Sequence, residues 1–414
     1  MLRIRNNTQQ EATCTGTGAQ LPVSYSAPQE IVEVIRDLGR TEDVRFSPNN
    51  QRLAIAGFAN NIVAVFDIAI SACGPSKAVT LKHVTKISSS ELRRPHGLDF
   101  IDDATIIVAN REGDTTVFRL PAPGRSGSYQ LTPVQVIRSG QSPGSVSISK
   151  KGSLFDVLIC QNYEHRVTRS EIDDHYSLRR QRTLIAKWLD VPDGVTASEG
   201  TEWIAVSNHN GHCVFIYEDD GALNESSHPV GLLRGVYCPH GVRFSSRAHS
   251  IIVADAGAPY VRIYKRNGES WRGVHNPVNS IRVLTDADFI RGRHNPLEGG
   301  PKGIDIDKNN ELLVVTCECQ PLAFFDLADL LSEPTLSAAE TQSELTYELD
   351  LREKLREARR RAQAWEQRAL TAETSLTKSE AGAREVRAQL SSVTRSKSWR
   401  ITAPLRRLAS LFRA

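Results

Sequence analysis

One pattern, repeated six times between residues 42 and 327, constrains this chain more than any other feature of it. Each copy runs from a small turn residue into an alternating strand, a turn, a second apolar strand ending in a small or polar residue, a loop and a third strand. EDVRFSPNNQRLAIAGFANNIVAVFDI (42–68) and HGVRFSSRAHSIIVADAGAPYVRIYKR (240–266) are two of the copies. Their anchors, Asp43, Gly97, Gly144, Gly194, Gly241 and Gly303, are 54, 47, 50, 47 and 62 residues apart. Short strands returning at such a period, with Pro-Gly and Asn-Gly punctuation, describe the blades of a β-propeller. A further apolar strand falls between copies, as in PVQVIRS (133–139), RTLIAKWL (182–189) and SIRVLTD (280–286), which makes four strands per blade. The sixth copy has none after it, so QEIVEVIRDLG (29–39) is expected to complete it and close the ring, leaving no exposed sheet edge.

Beyond Leu327 the composition changes: Gly382 is the one remaining glycine, and Ala, Glu, Arg and Leu dominate. From Leu351 the apolar spacing alternates four and three through Leu355, Ala358, Ala362, Trp365, Ala369, Ala372, Leu376, Ser379, Ala383, Val386, Leu390 and Val393. Such a heptad seam predicts a coiled coil, with a rod of about 65–70 Å at 1.5 Å per residue. A lone helix cannot bury that stripe, so a partner helix is expected, most simply from a second copy of the chain. The alanines and Ser379 leave dimer against trimer open.

The net charge of +3 is local in origin. Residues 395–414 carry six Lys/Arg and no acid, leaving the other 394 residues at −3. Only this tail argues for an anionic partner, and no nucleic-acid surface is expected. Pro404 suits the first turn of a new helix, with Thr402 as a cap. On a wheel, Leu405, Leu408, Ala409, Leu411 and Phe412 oppose Arg406, Arg407, Ser410 and Arg413, flanked by Trp399. A basic amphipathic helix of this kind fits an anionic membrane surface; a helix that docks on a partner is the alternative. No export signal or span of ~18 apolar residues is read in the sequence, so the chain is expected to stay in the cytoplasm. The seven cysteines, odd in number and without a C-x-x-C pair, read as buried thiols of a reduced compartment.

The innermost strand of a blade starts near one mouth of the central channel. The residues before the anchors, Glu42, His96, Pro143, Asp193, His240 and Lys302, are therefore expected to ring that mouth, and all but Pro143 are candidate ligand-binding groups. His96 and His240 come from blades that face each other, and with Asp193 they are candidate ligands for a divalent metal, the one cofactor the residues suggest. The same histidines could equally serve to hydrogen-bond a neighbouring blade's backbone. His209 and His212 are expected to serve a turn, and Cys317 and Cys319 to pack. No phosphate loop or G-x-S-x-G elbow appears, which disfavours a nucleotide-using enzyme or a serine hydrolase.

The P-x-G starts (RPHGLDF, VPDGVTA, CPHGVRF, GPKGIDI) and the middles ICQNYEHRVTR, VSNHNGHCVFIY and VADAGAPYVRIYK resemble NHL-repeat and YVTN/lactonase-type propellers over roughly residues 29–330. That resemblance implies the ring and leaves function open, since such rings serve as hydrolases, lyases, binders and scaffolds. Members that are lactonases or amidating lyases hold calcium or zinc with ligands from several blades, and no full ligand set is matched in this chain. The tail SKSWRITAPLR is similar to one that follows coiled coils in bacterial glycosyltransferases and accompanying proteins of surface-polysaccharide synthesis, matched at Ser396, Ser398, Trp399, Arg400, Thr402, Pro404, Leu405 and Arg406. It implies assembly at the inner membrane and no catalytic residue.

The expectation is thus an all-β six-bladed propeller, a long α-helical coiled coil and a short basic amphipathic C-terminal helix. Its parts are a flexible arm (1–28), the propeller (29–330), a linker (331–344), the coiled coil (345–395) and the tail (396–414). The function expected is that of a non-catalytic auxiliary protein of lipopolysaccharide O-antigen or capsule synthesis, peripheral at the cytoplasmic face of the inner membrane. It would oligomerise through the coil and meet glycosyltransferases or other polysaccharide-assembly enzymes, with Trp399, Arg400, Pro404, Leu405, Arg406 and Arg407 contacting membrane or partner. The alternative is a metal-dependent hydrolase or lyase acting on a sugar or lactone.

Overall fold

The computed structural model describes residues 2–4, 22–73, 76–293, 295–327, 331 and 342–406. The chain divides into a unit of residues 1–350 and another of 351–414. In the first, six sheets stand around a central axis as the blades of a β-propeller. Their innermost strands are Thr41–Phe46, Pro95–Asp102, Pro143–Lys151, Pro192–Ala197, Pro239–Phe244 and Pro301–Ile306, each touching the next and the last touching the first. Within every blade the innermost, second and third strands pair antiparallel in chain order.

Apolar layers fill the space between blades. Ala54, Val63 and Val65 of blade 1, for example, are buried with Leu98, Phe100, Ile106 and Val108 of blade 2. The anchor glycines are explained by how closely the inner strands approach one another. A Cβ on Gly97 would stand 2.5 Å from Ser145 Cα, and one on Gly303 would stand 2.6 Å from Asp43 Cα. Acids lace the same strands together: Asp43 Oδ2 accepts from Leu98 N at 3.1 Å, Asp99 Oδ2 from Ile148 N at 2.9 Å, and Asp305 Oδ2 from Phe46 N at 2.8 Å.

The ring is closed by a different segment from the one expected. Pro22–Val23 supplies the fourth strand of blade 6, pairing with Phe325 and Phe324, and Tyr25–Ala27 then runs parallel to the outermost strand of blade 1. Residues 22–27, expected within a flexible arm, are therefore built into the propeller. Residues 29–39, expected to be the closing strand, hold instead the helix Gln29–Asp37, which starts after Pro28. Ile31, Ile35 and Leu38 are buried on one of its faces at helical spacing, and this packing overrides the alternation that the same residues show.

The two long anchor spacings have separate causes. The first comes from a long outer hairpin in blade 1, Ile62–Cys73 with Ser76–Ser88. The second comes from an insertion after blade 5 that contains the helix Asp286–Arg291. Blade 4 gains an extra strand, Gly273–His275, parallel to its outer strand Gly231–Leu233. Cys160, Cys213, Cys238 and Cys317 are buried free thiols, and Cys319 is half-buried.

A helix spans Gln342–Arg395. Its first turns belong to the propeller unit rather than to a separate rod: Leu345 and Leu349 are buried with Leu223, Leu232 and Val274, and Arg234 Nη1 faces Glu348 Oε1 at 3.5 Å. The linker expected at 331–344 lies mostly outside the described residues. In the second unit the seam side chains Trp365, Leu376, Val386, Leu390 and Val393 are exposed; the Leu355 side chain lies outside the described residues.

The helix breaks at Ser396, whose Oγ accepts from Trp399 N at 3.1 Å and so caps the short helix Lys397–Ile401. Thr402 Oγ1 bonds back to Ser398 O at 2.9 Å and accepts from Arg406 Nη1 at 2.5 Å. The Arg406 guanidinium lies 3.5 Å from the centre of the Trp399 ring and donates to Trp399 O. Several residues of the tail motif thus hold one another. Arg407 and the remainder of the expected amphipathic helix lie outside the described residues. Among the described residues no helix is long and apolar enough to cross a membrane.

Candidate functional site

In all six blades the pairing between the first two strands slips at the same place: between Thr41 and Asp43, Pro95 and Gly97, Pro143 and Ser145, Pro192 and Gly194, Pro239 and Val242, and Pro301 and Ile304. Such a bulge frees a residue from the ladder and re-aims its side chain. Glu42, His96, Asp193, His240 and Lys302 occupy the slip, all are buried, and they converge across the channel. In blade 3 the equivalent residue is Gly144 rather than the expected Pro143, because Pro143 pairs with Gln161 as Pro95 pairs with Asn110. Asn162 fills the space that a side chain on Gly144 would take, and its Nδ2 donates to Asp193 Oδ1 at 2.5 Å.

The histidines of opposing blades stack, with ring centres of His96 and His240 5.5 Å apart. His96 Nδ1 lies 2.6 Å from Gly144 O in the next blade, which requires Nδ1 to carry the proton. The backbone-bonding role considered for this histidine is therefore real, and it leaves Nε2 turned to the cluster as an acceptor. Nε2 is 2.6 Å from Arg111 Nη2, 3.6 Å from Glu42 Oε2 and 3.9 Å from Asp193 Oδ1. His240 Nε2 is 2.8 Å from Asp193 Oδ2 and 3.8 Å from Glu42 Oε2. Lys302 Nζ stands 3.3 Å from Glu42 Oε2 and 3.2 Å from Glu298 Oε2.

Five participants were not anticipated: Arg40, Arg111, Asn162, His209 and Glu298. Arg40 pairs with Glu42, and His209 Nε2 lies 3.3 Å from Glu298 Oε1. His209 was assigned to a turn; it starts a 3-10 turn and also joins the cluster, whereas His212 is left-handed and stacks on Tyr237. A repeat position carries three of the five. The residue just past each second strand returns to the mouth where the first began, and there stand Phe58, Arg111, Asn162, His209, Ala256 and Glu318. Glu298 is delivered by the insertion after blade 5.

Charge balance sets the protonation of the cluster. Burial opposes ionisation of Glu42, yet the Lys302 and Arg40 cations hold its carboxyl well below the usual range. Burial is likewise outweighed at Asp193 by His240, which also hydrogen-bonds it, and Arg111, and at Glu298 by His209 and Lys302. Burial and Arg111 push His96 down to about 3, so it is neutral. Burial also works against a charge on His209, but Cys238, Glu298 and Asp193 push it up to about 10. Plugging a channel with charge costs several kcal/mol of desolvation per ion, a cost that apolar side chains would avoid. A cluster of buried charges held by specific partners at a channel mouth is a candidate functional site.

Above the plug, the rim carries aromatic rings beside cations. Phe58 lies between Arg40 and Arg94, with guanidinium carbons 4.6 and 5.2 Å from its centre. Tyr163, 63% exposed, takes Arg111 at 5.4 Å and a hydrogen bond from Arg111 Nη1 at 3.1 Å. Tyr237 is also exposed, lying flat on His212 at 4.1 Å. At the opposite end of the propeller a polar cleft forms among Arg52, Asp67, Lys82, His83, Asp103 and Lys308.

No family model and no curated protein matches the chain. Among solved structures it is similar to a functionally unknown protein from Desulfotomaculum acetoxidans DSM 771, at 14% identity and a TM-score of 0.48, over 70% of this chain and 83% of that one.

Proposed function

We propose that this protein is an auxiliary binding protein of bacterial surface-polysaccharide synthesis, either O-antigen or capsule, whose channel mouth recognises an acidic stretch of glycan. The observation that carries the reading is the rim, where Phe58 stands beside Arg40 and Arg94, Tyr163 beside Arg111, and Tyr237 lies exposed on His212. Planar rings stack on the apolar faces of sugars, and guanidinium groups grip carboxylate or phosphate in pairs. The tail supports the cellular setting through its resemblance to polysaccharide-assembly proteins, and its Trp399–Arg406 stack gives that motif a physical basis.

The helical arm is read as pairing with a second copy in parallel. In the heptad frame of the seam, Arg361 and Arg368 fall at g and Glu366 and Glu373 at e, so each arginine meets a glutamate of the other helix. The second reading, a metal-dependent hydrolase or lyase, is favoured by the two histidines and two carboxylates gathered at the mouth.

Titration calorimetry of the full chain with uronic-acid oligosaccharides and their neutral counterparts tests the binding role. Affinity for the acidic series that falls at least tenfold in Tyr163→Ala supports it. Equal or absent binding of both series rejects it. In the native host, loss of residues 396–414 is expected to reduce surface polysaccharide, and unchanged polysaccharide removes the proposed setting.

A further inference from the structure

The geometry points to a binding site for one divalent transition-metal ion inside the channel mouth, held by Glu42, His96, Asp193 and His240 from blades 1, 2, 4 and 5. It stands independently of the glycan reading. Two overlapping groups, Glu42–His96–His240 and Asp193–His209–His240, each bring three donor atoms within 4.8 Å of one another.

The two groups share His240, and Asp193 reaches the two imidazoles through different oxygens. Glu42 Oε2 is 3.6 Å from His96 Nε2 and 3.8 Å from His240 Nε2, while Asp193 reaches His240 Nε2 at 2.8 Å and His96 Nε2 at 3.9 Å. Ligands about 2.0–2.2 Å from a central ion stand roughly 3–3.5 Å apart, so Glu42 and the two imidazoles close on an ion by shifts of a few tenths of an ångström, and Asp193 joins by turning one oxygen toward the same centre. His209 borders the set: Glu298 engages its Nε2 at 3.3 Å, and its Nδ1 stands 3.8 Å from Asp193 Oδ2 on the side away from Glu42 and His96, with which it forms no group.

Three features single this cluster out from an ordinary ion-pair network. First, the Glu42 side chain is fully buried, and its Oε2 faces the centre with no hydrogen bond, balanced only by the ion pair to Lys302 Nζ at 3.3 Å. Buried carboxylate oxygens are nearly always hydrogen-bonded, so one that is not, and that faces two imidazole nitrogens, has capacity for a ligand. Second, His96 is fixed by its Nδ1 bond to Gly144 O, which orients Nε2 as metal-binding histidines are oriented by their outer partners. His240 Nε2 donates to Asp193 Oδ2 at 2.8 Å in the ion-free site and offers its lone pair to an ion once that proton moves to Nδ1. Third, the cation now on His96 Nε2 has somewhere to go: Arg111 also bonds Tyr163 OH and packs on that ring at the rim, so it can retreat there when an ion enters.

Two imidazoles and two carboxylates suit zinc, cobalt, manganese or ferrous iron, and suit calcium and magnesium poorly, since those prefer all-oxygen shells. Arg40 pairs with the second oxygen of Glu42, Oε1, and Lys302 Nζ stands 3.4 Å from Oε1 and 3.3 Å from Oε2, so an entering ion competes with Lys302 for the latter.

The test uses untagged full-length protein stripped with chelator and titrated with cobalt(II), zinc and calcium. The expected result is one equivalent of cobalt with a visible d–d band of a four- or five-coordinate nitrogen–oxygen site, displaced by zinc, and at least 100-fold weaker calcium binding. The double variant His96→Ala/His240→Ala should lose the band and at least 100-fold in zinc affinity, while His209→Asn keeps the band. A wild-type chain that gives no saturable cobalt band overturns the site whether or not the variants fold. Retention of full zinc affinity by the double variant overturns it as well.

Discussion

Lys77, in the outermost strand of blade 1, donates to both carboxylate oxygens of Asp326 in blade 6, at 2.8 and 2.9 Å. This bond lies beside the seam where Val23 pairs with Phe324 and, two residues on, Tyr25 pairs with Val79. A partly exposed ion pair contributes at most about 1 kcal/mol. The buried Val23, Tyr25 and Ala27 side chains contribute more, roughly 1.5–3 kcal/mol for each large one. Lys77→Ala should therefore lower the melting temperature slightly, and removal of residues 1–27 should cost about 3 kcal/mol or more. Thermal melts of the two variants separate these contributions, and a smaller loss in the truncation would show that closure does not depend on the strand.

The inner ring tolerates little added volume. Gly97→Ala places a methyl 2.5 Å from Ser145 Cα, against backbone that cannot swing away. A loss of about 1–3 kcal/mol is expected, as for overpacking in a rigid core. Gly382, in the exposed helix with nothing within 4 Å of its would-be Cβ, should respond in the opposite sense, since Ala exceeds Gly in helix propensity by about 1 kcal/mol. Urea unfolding of both variants measures the contrast.

Asp99 makes stability depend on pH. Burial, only partly offset by Arg45, pushes its carboxyl from the ordinary 3.8 up to about 7. The folded chain therefore binds this proton more tightly than the unfolded one, and the contribution is present in full below about pH 4. It declines as the pH rises toward 7, with no further change above that. Asp99→Asn should flatten this descending slope between pH 4.5 and 7. Urea midpoints across that range would show it, and parallel curves for both proteins would remove Asp99 as the source.

The repeat made the ring legible because propeller blades are built one at a time from local chain, so their strands carry period-two patterns and turns at fixed offsets. Long-range closure leaves no such trace: Pro22–Val23 is too short to show a period, while Ile31 and Ile35 satisfy strand alternation as well as helical spacing. Glu42, His96, Asp193, His240 and Lys302 were readable at the site because each precedes an anchor. Arg111, Asn162 and His209 were readable in principle from the end of each second strand, but only once antiparallel pairing had returned that position to the same mouth. Glu298 carries no repeat signal, since it rides on an insertion.

The exposed seam predicts association of the arm. Trp365, Leu376, Val386 and Leu390 are more than half exposed in the single chain, which water disfavours. Leu376→Asp with Leu390→Asp should turn a self-associating protein into a monomer by sedimentation, leaving the propeller's melting transition in place. A wild-type chain that sediments as a monomer at tens of micromolar would remove the paired-helix reading.

The tail should bind anionic bilayers through Trp399 and the arginines that follow it. Each basic residue near such a surface contributes about 1 kcal/mol, roughly a fivefold change in partitioning, and the effect fades with added salt. Arg406 has a second task, because its guanidinium holds the Trp399 ring and the Thr402 hydroxyl. Arg406→Lys keeps the charge but not the planar stack, so it distinguishes attraction from shape. If charge alone acts, Arg406→Lys should float with vesicles containing 30% phosphatidylglycerol as well as wild type does, and Arg406→Gln should float about fivefold less. If the stacked tail is what inserts, both variants should lose binding together with Trp399→Ala. Neutral phosphatidylcholine vesicles should retain none of the proteins. Equal flotation of wild type and a chain ending at Arg395 would leave the tail no role at the membrane.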